Sequence, residues 1–386
     1  MFIIEKPYVS EYLIDTIINH DWAVLENSTI EECGMEEDAF RLWSSEKATN
    51  NYLQQEYPLI YSNSENGISW VLENLPQSNL ASYIKVFKDK YLFRETFKDM
   101  FPDFYYHTFE YLDINYVNKD EFKFPLVLKP SVGFLSFGVH VIKDISEWDN
   151  EVKNLNKEIA SNKSLYAKDV VNSTNMLIEE LVTGEEFAID AYFDRNGIPI
   201  ILNIFKHLFK DENDVRDRLY VTSASIMVQY MAKFALFLKE IGDKLDIKNF
   251  PLHLEVKIRE NGEIFPIEIN PMRFAGWCTT DIAKYAWGIN VYECFNAQLH
   301  PDWNTIIEKA GKETYYFSMI EIPSGYPRSS IRDFKYQEYL AHFSNVLELR
   351  HVNFKSNALF GIVFGKTDDE KELQRILSLD TSKYII

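Results

Sequence analysis

Residues 252–271 read LHLEVKIRENGEIFPIEINP. Two apolar arms flank Asn261-Gly262, a dipeptide that accepts the positive φ angles of a tight turn, so the stretch predicts a β-hairpin. Side chains alternate along a strand, which puts Glu268 and Asn270 on one face. Pairing across the turn brings Glu255 beside them, while Ile267 and Ile269 take the opposite face. Two carboxylates and an amide oxygen inside an apolar hairpin are costly to bury unless a cation neutralises them, and hard oxygen donors in that number suit Mg²⁺. Charges on the wet face of a hairpin are the other reading, because alternation alone does not say which face is covered.

Upstream, LVLKPSVGFLSFGVHVI (126–142) predicts two strands around a glycine loop opened by Gly133 and closed by Gly138. No Lys-Ser/Thr follows the second glycine and the context is strand to strand, so this is not a Walker loop. Such a loop can fold over phosphates, offering backbone N–H groups and the Ser131 and Ser136 hydroxyls, with Lys129 as a point charge; an ordinary hairpin is the alternative. In MLIEELVTGEEFAIDAYFDRNGIPIILNIF (176–205), a strand ends in Glu179-Glu180 and a hairpin turns at Asn196-Gly197. A purine needs an acceptor for its amino group, a donor for its ring nitrogen and a carboxylate for its ribose. This segment can supply all three, or it is a solvated turn.

The rest of the chain is read around these pieces. Residues 1–87 alternate short strands (Phe2–Ile4, Ala23–Leu25, Leu59–Tyr61) with helices such as Ser64–Asn74, a βαβ rhythm. A charged helix near Lys88 ends at Pro102 and spaces Leu92, Phe93, Phe97 and Met100 as a buried stripe. Polar residues 146–170 predict a helix, as do 225–242 and 279–298. From 313 onward strand and helix mix, with FGIVFG (360–365) the clearest strand.

Composition narrows the function. The chain has 386 residues and 40 Lys+Arg against 59 Asp+Glu, a net charge of −19, which argues against nucleic acid and anionic membrane as partners. No apolar run approaches the ~18 residues that cross a bilayer. The start, MFIIEKPYVSEYLID, carries charges and does not read as a signal peptide. Cys33, Cys278 and Cys294 are too scattered for a disulfide framework, so a cytoplasmic location is expected. With 46% hydrophobic residues the chain can bury a large core in two or three domains or lobes.

Taken together and in this order, the segments resemble the ATP-grasp superfamily, over roughly Lys88 to His300. YSNSENGISWVLE (61–73) is similar to the strand and helix of the lobe that precedes the family's ATP-binding part. The resemblance implies an α/β (α+β) multi-lobe fold: a pre-ATP-grasp α/β lobe at 1–87, a first ATP-binding lobe with the glycine flap at 88–175, a second lobe with the metal site at 176–310, and a small mixed strand/helix portion at 311–386. It implies Lys90 and Lys129 as nucleotide lysines, with the phosphate flap at Gly133–Gly138. Glu179, Glu180 and the backbone of Leu181 and Val182 would face adenine, and Glu186 the ribose. Glu255, Glu268 and Asn270 would hold one or two Mg²⁺, with Mn²⁺ an accepted substitute.

The activity implied is ATP-driven ligation: a small carboxylate, an amino acid among the options, becomes an acylphosphate and is joined to an amine, releasing ADP and phosphate. Lysines, a divalent cation and a closing flap can supply most of that catalysis, since phosphoryl transfer needs alignment and charge neutralisation. Arg273 in NPMRFAGW would meet the transferred phosphate or the tetrahedral oxyanion, although Met272 separates it from the Asn-Pro where many relatives place arginine directly. His253 would contact phosphate or is a structural histidine; Lys206 would reach the γ-phosphate or lies on the surface. The stretch KDENDVRDRLYVTSAS (210–225) closes over substrate or is a disordered surface loop. Cys278 reads as a packing residue rather than a nucleophile. Two alternatives stand beside the ligase: an enzyme of biotin-carboxylase or purine-biosynthetic type activating bicarbonate or formate, and a nucleotide-binding module without turnover. Tyr315, Tyr316, Phe317 and Tyr326 suggest a surface for a homodimer.

Overall fold

A computed structural model describes residues 1–132, 138–161, 175–211 and 216–386. Two compact units make up the chain: Met1–Pro76, Glu185–Ile258 and Gly262–Ile386 form the first, and Gln77–Gly184 with Arg259–Asn261 the second.

The first unit opens with β1 (Phe2–Ile3), β2 (Ala23–Leu25), β3 (Arg41–Trp43) and β4 (Tyr61–Ser62), a parallel sheet in the order β3-β2-β1-β4. Parallel neighbours need crossovers. Helices Glu11–Asn19, Ser28–Glu32 and Ser45–Gln54 provide them, and Ser10, Asn27 and Ser44 cap these helices by accepting from backbone N–H groups of the first turn. The strand expected at Leu59–Tyr61 shifts to Tyr61–Ser62, the residues that pair with Phe2 and Ile3 of β1, and Ser62 N–H also bonds Met272 O at 2.9 Å. The helix expected at Ser64–Asn74 begins as a 3₁₀ turn, Glu65–Gly67, before Ile68–Asn74.

In the second unit, β5 (Tyr106–Glu110), β6 (Leu126–Pro130), β7 (His140–Ile142) and β8 (Asn175–Glu180) form an antiparallel sheet in the order β5-β8-β6-β7. The glycine loop thus joins paired strands, with Leu126 opposite Ile142. Helix Trp148–Ser161 covers this sheet, burying Trp148, Val152 and Leu155 against Leu126, Leu128 and Ile178. Helix Lys90–Phe97 starts at Asp89, whose carboxylate accepts from Tyr91 and Leu92 N–H. Phe93 and Phe97 are buried as the stripe predicts, but Leu92 is 40% exposed and Arg94 is buried at 4%. The helix is rotated from the expected stripe because the Arg94 guanidinium pairs with Glu179.

The first unit resumes with β9 (Glu185–Phe193), β10 (Pro199–His207), β11 (Leu219–Thr222), β12 (Phe250–Ile258), β13 (Ile264–Pro271), β14 (Thr314–Glu321), β15 (Val346–His351) and β16 (Leu359–Thr367). These make one antiparallel sheet in the order β13-β12-β9-β10-β11-β14-β16-β15. Both predicted hairpins are present, and residues 311–386 contribute three strands to the same sheet. Helix Ala224–Leu245 covers one face with Phe234, Phe237 and Leu238 buried. Phe187 lies 5.7 Å from Phe234, ring to ring. Ala188, Phe205, Tyr220 and Phe317 point to the other face, where they pack with Ile282 and Phe364.

Two expectations change here. The helix expected over 279–298 is broken into a 3₁₀ segment Gly276–Asp281 and helices Ile282–Trp287 and Val291–Asn296. Gly288 ends the first helix with φ +67 and Asn290 caps the second, so the break has local causes. Tyr316 (0% exposed) and Phe317 (4%) belong to the chain's own core, which removes them from the suggested dimer surface. Among the described residues no helix is long and apolar enough to cross a membrane.

Candidate active site

In the first unit, β12 and β13 set Glu255 directly opposite Glu268, and His253 opposite Asn270. A register shift after Glu255 pairs Val256 with Pro266, so the hairpin carries a bulge beside the two acids. Asn270 is 1% exposed and its amide N–H donates to Glu255 Oε1 at 3.1 Å. Among the described residues its Oδ1 is buried with no hydrogen-bond partner, and such an orphan costs about 1–3 kcal/mol unless something fills its lone pairs. Burial, then Glu268, pushes the Glu255 carboxyl well above its ordinary value. Two clustered acids and an unsatisfied amide oxygen fit a hard divalent cation, which would relieve both the charge repulsion and the orphan.

His253 follows Glu255 along the face. Its Nδ1 lies 2.7 Å from Asp190 Oδ1, and its Nε2 3.6 Å from Glu255 Oε1. Asp190 is 0% exposed, in mid-strand on β9, and the same Oδ1 accepts from Ala275 N–H at 2.8 Å. Arg273 leaves β13 after Met272, which adopts φ +65. That left-handed turn lets Met272 bond Pro251 O with its N–H and Ser62 N–H with its carbonyl. Arg273 then donates to Phe274 O and reaches Glu65 Oε1 at 3.0 Å.

Glu186 on β9 is gripped from both neighbouring strands. His207 Nδ1 of β10 lies 2.7 Å from Oε1, and Lys257 Nζ of β12 lies 3.6 Å from Oε2. Burial opposes ionisation, but His207 and Lys257 outweigh it and hold the Glu186 carboxyl below its ordinary value. Glu186, His207 and Asp217 bring ligand-type atoms within 4.8 Å of one another. Lys206 is not on this cluster; its ammonium pairs with Glu185 and sits 5.9 Å from the Phe187 ring centre. Cys278 is buried, and burial pushes its thiol up to about 11, which fits a packing residue.

The second unit holds a charge cluster of its own. Lys129 on β6 and Glu179 on β8 form a buried ion pair, and Arg94 Nε adds a bond to Glu179 at 2.9 Å. Burial alone would raise the Glu179 carboxyl; Arg94 and Lys129 override it and hold it down to about 2. Burial lowers the Lys129 ammonium, with Glu179 opposing. Glu180 is anchored differently: its carboxylate accepts from Tyr105 N–H and pairs with Arg259. Leu181 N–H donates to Pro125 O at 3.2 Å. Val182 is buried next to them. Lys90 N–H donates to Ser131 O, which ties the start of the helix to the strand end. Gly138 has φ +71, and a Cβ there would lie 3.2 Å from Pro130 and Leu155 atoms, so the closing position of the loop requires glycine. Gly133 and Ser136 lie outside the described residues.

A sequence model of the ATP-grasp domain matches residues 122–281. The chain carries an ATP-grasp domain. Lys129, the Glu179–Glu186 segment, His253, Glu255, Glu268, Asn270 and Arg273 all fall inside the matched ATP-grasp region, whereas Lys90 precedes it. Over its whole length the chain shares its fold with solved structures. L-amino acid ligase from Bacillus licheniformis superimposes with a TM-score of 0.71 at 14% identity, covering 100% of this chain and 97% of that one. Biotin carboxylase from Campylobacter jejuni gives 0.64 at 10% identity, with coverage of 100% and 91%. In sequence, alanine–anticapsin ligase of Bacillus amyloliquefaciens is 25% identical over 179 residues, 43% of this chain and 37% of that ligase. The aligned part is therefore little more than a third of the curated relative.

Residue patterns alone did not single out Arg94, Asp190, His207, Lys257 or Glu65. Asp190 had a signal: an acid centred in the apolar run FAIDAYF must find a partner when that strand is buried.

Proposed function

We propose that the chain is an ATP- and Mg²⁺-dependent ligase that joins a small carboxylate, an amino acid foremost, to an amine. The observation that carries this reading is the convergence of Glu255, Glu268 and the orphaned Asn270 Oδ1 on one face of a hairpin. These three would hold Mg²⁺, or Mn²⁺ in its place, and the metal would supply charge neutralisation to the nucleotide phosphates. Lys90, Lys129 and the loop from Ser131 through Gly133 and Ser136 to Gly138 would bind the phosphates. The segment from Glu180 through Leu181 to Val182 would offer its backbone edge to adenine. Glu179, spent on Lys129 and Arg94, would act by fixing that strand. Glu186, kept ionised by His207 and Lys257, would accept from ribose hydroxyls.

The carboxylate oxygen of the first substrate attacks the γ-phosphorus and ADP leaves. The amine nitrogen of the second then attacks the acyl carbon, phosphate departs and the nitrogen loses its proton. Arg273 would stabilise the oxyanion of that addition, with His253 near the transferred phosphate; Lys206 pairs with Phe187 rather than Ala188, which turns it to the sheet face away from Glu255 and leaves it out of that role. The four-part division at 1–87, 88–175, 176–310 and 311–386, and assembly as a homodimer, belong to the same reading; sedimentation velocity tests the latter.

The decisive experiment is phosphate release from ATP and Mg²⁺ in the presence of amino-acid pools, with bicarbonate and formate as separate arms. Stimulation by an amino acid with formation of a C–N bonded product is expected. Stimulation by bicarbonate or formate alone would transfer the reading to those acids, and no stimulation by any carboxylate would sink it.

A further inference from the structure

The first unit contains a cavity of about 440 Å³ whose wall is built by β11, β14 and the end of helix Glu370–Leu377. Part of its wall lies on the sheet face opposite the Glu255–Glu268 donors. Leu219, in its wall, packs with Tyr316 and Ile320. The next residue, Tyr220, packs on the other face with Ala188, the strand partner of Glu255.

Charge marks this cavity out. The chain carries 40 basic against 59 acidic residues, yet the wall reverses that ratio, with Lys210, Arg216 and Arg218 against Glu321 and Asp380. The remaining surface is mainly aliphatic: Leu219, Leu359, Ile376 and Leu377 line it, and these four are buried. A cavity of several hundred Å³ with apolar walls and a few clustered charges is the usual form of a small-molecule site. We propose that it binds a small amphipathic carboxylate, the headgroup on the Lys210, Arg216 and Arg218 side and the apolar tail against Leu219, Ile376 and Leu377. Guanidinium groups favour carboxylates through charge-assisted, forked hydrogen bonds, and the net positive wall selects against amines of the same shape. Arg216 adjoins the Glu186 cluster through its carbonyl, 3.2 Å from His207 Nε2, but the binding proposed here needs no nucleotide.

The test is calorimetric titration of the full chain, without ATP, with 3-phenylpropionate; 3-phenylpropionamide and 2-phenylethylamine serve as neutral and cationic controls. Saturable one-to-one binding of the carboxylate is expected, with both controls at least ~10-fold weaker, the effect of one charged hydrogen bond. Arg216→Gln, at an exposed position that folding tolerates, should weaken the carboxylate by a similar factor. Ser378→Trp, also exposed, should fill the mouth and abolish binding, while Glu268→Ala should leave it unchanged. Absence of saturable binding, equal affinity for the amide, or loss of binding in Glu268→Ala would each overturn the proposal. The last outcome would place the probe at the donor cluster instead.

Discussion

Asp190 holds the ring of His253: Oδ1 lies 2.7 Å from Nδ1, and the same oxygen accepts from Ala275 N–H. A carboxylate on Nδ1 fixes the orientation of the imidazole and turns Nε2 toward Glu255, 3.6 Å away. Asp190→Asn keeps an oxygen for Ala275 but removes the charge. We expect turnover in the phosphate-release assay to fall by ~10–100-fold, as when a hydrogen-bond partner behind a metal site is lost. Urea denaturation should show a loss of about 1–3 kcal/mol. Wild-type turnover in this variant would show that His253 does not depend on its buried partner.

The Glu179 cluster predicts an acid transition. Its carboxyl is held down to about 2, against 4.5 for the free group. A depressed folded value contributes stability above the unfolded value and loses it as pH falls through the folded one, here from about 4.5 down to about 2. The linked contribution is on the order of 3 kcal/mol. Stability measured by denaturant titration between pH 6 and pH 2 should fall steeply in wild type. In Glu179→Gln it should start lower by about 3–5 kcal/mol, since Lys129 and Arg94 are left buried without their counter-charge, and it should change less across that window.

Glu255 carries the opposite sign. Its carboxyl is raised by burial and by Glu268, so the folded state binds this proton more tightly than the unfolded chain. Metal-free stability should therefore decline as pH rises above about 4.5, toward the higher folded value. Mg²⁺ at neutral pH should raise the melting temperature, EDTA should reverse the rise, and Glu268→Ala should remove the response. An unchanged Mg²⁺ response in that variant would exclude Glu268 as a ligand.

Thiol chemistry offers a check independent of activity. Cys33 is exposed, whereas burial pushes Cys278 up to about 11 and Cys294 up to about 12. Native protein at pH 8 should react with a disulfide reagent at one fast site, Cys33, and at the other two only in denaturant. Rapid modification of Cys278 in the native state would reopen the possibility that it is a nucleophile.

The hairpins at Asn196-Gly197 and Asn261-Gly262 were legible because their turn chemistry is local, whereas the bulge that brings Glu255 opposite Glu268, after Ile258 has paired with Ile264 nearer the turn, was not. The two strands that flank the glycine loop were legible from their β-rich arms. Helix breaks were harder to see: Gly288 and Asn290 carry the signal, but the apolar spacing on either side of them runs on as if uninterrupted. The position of Arg94 left no trace near itself, because its partner Glu179 lies 85 residues away. A charged residue at a buried helix position contradicts the stripe of Leu92, Phe93 and Phe97 until that partner is known. His207 and Lys257 likewise carry no local signal, since their meeting on Glu186 depends on how three strands align.

The first unit is interrupted in sequence, and that has a consequence for how the protein is made. β1 to β4 emerge within the first 62 residues, but Tyr61 packs its ring 5.2 Å from Phe274 and 5.4 Å from Tyr292. These partners follow 213 and 231 residues later, roughly 10–50 s at the ~5–20 residues per second of synthesis. Through that interval the side of Tyr61 that will meet Phe274 and Tyr292 lacks its cover on the ribosome, so the nascent chain must be kept from aggregating before its own later residues reach it.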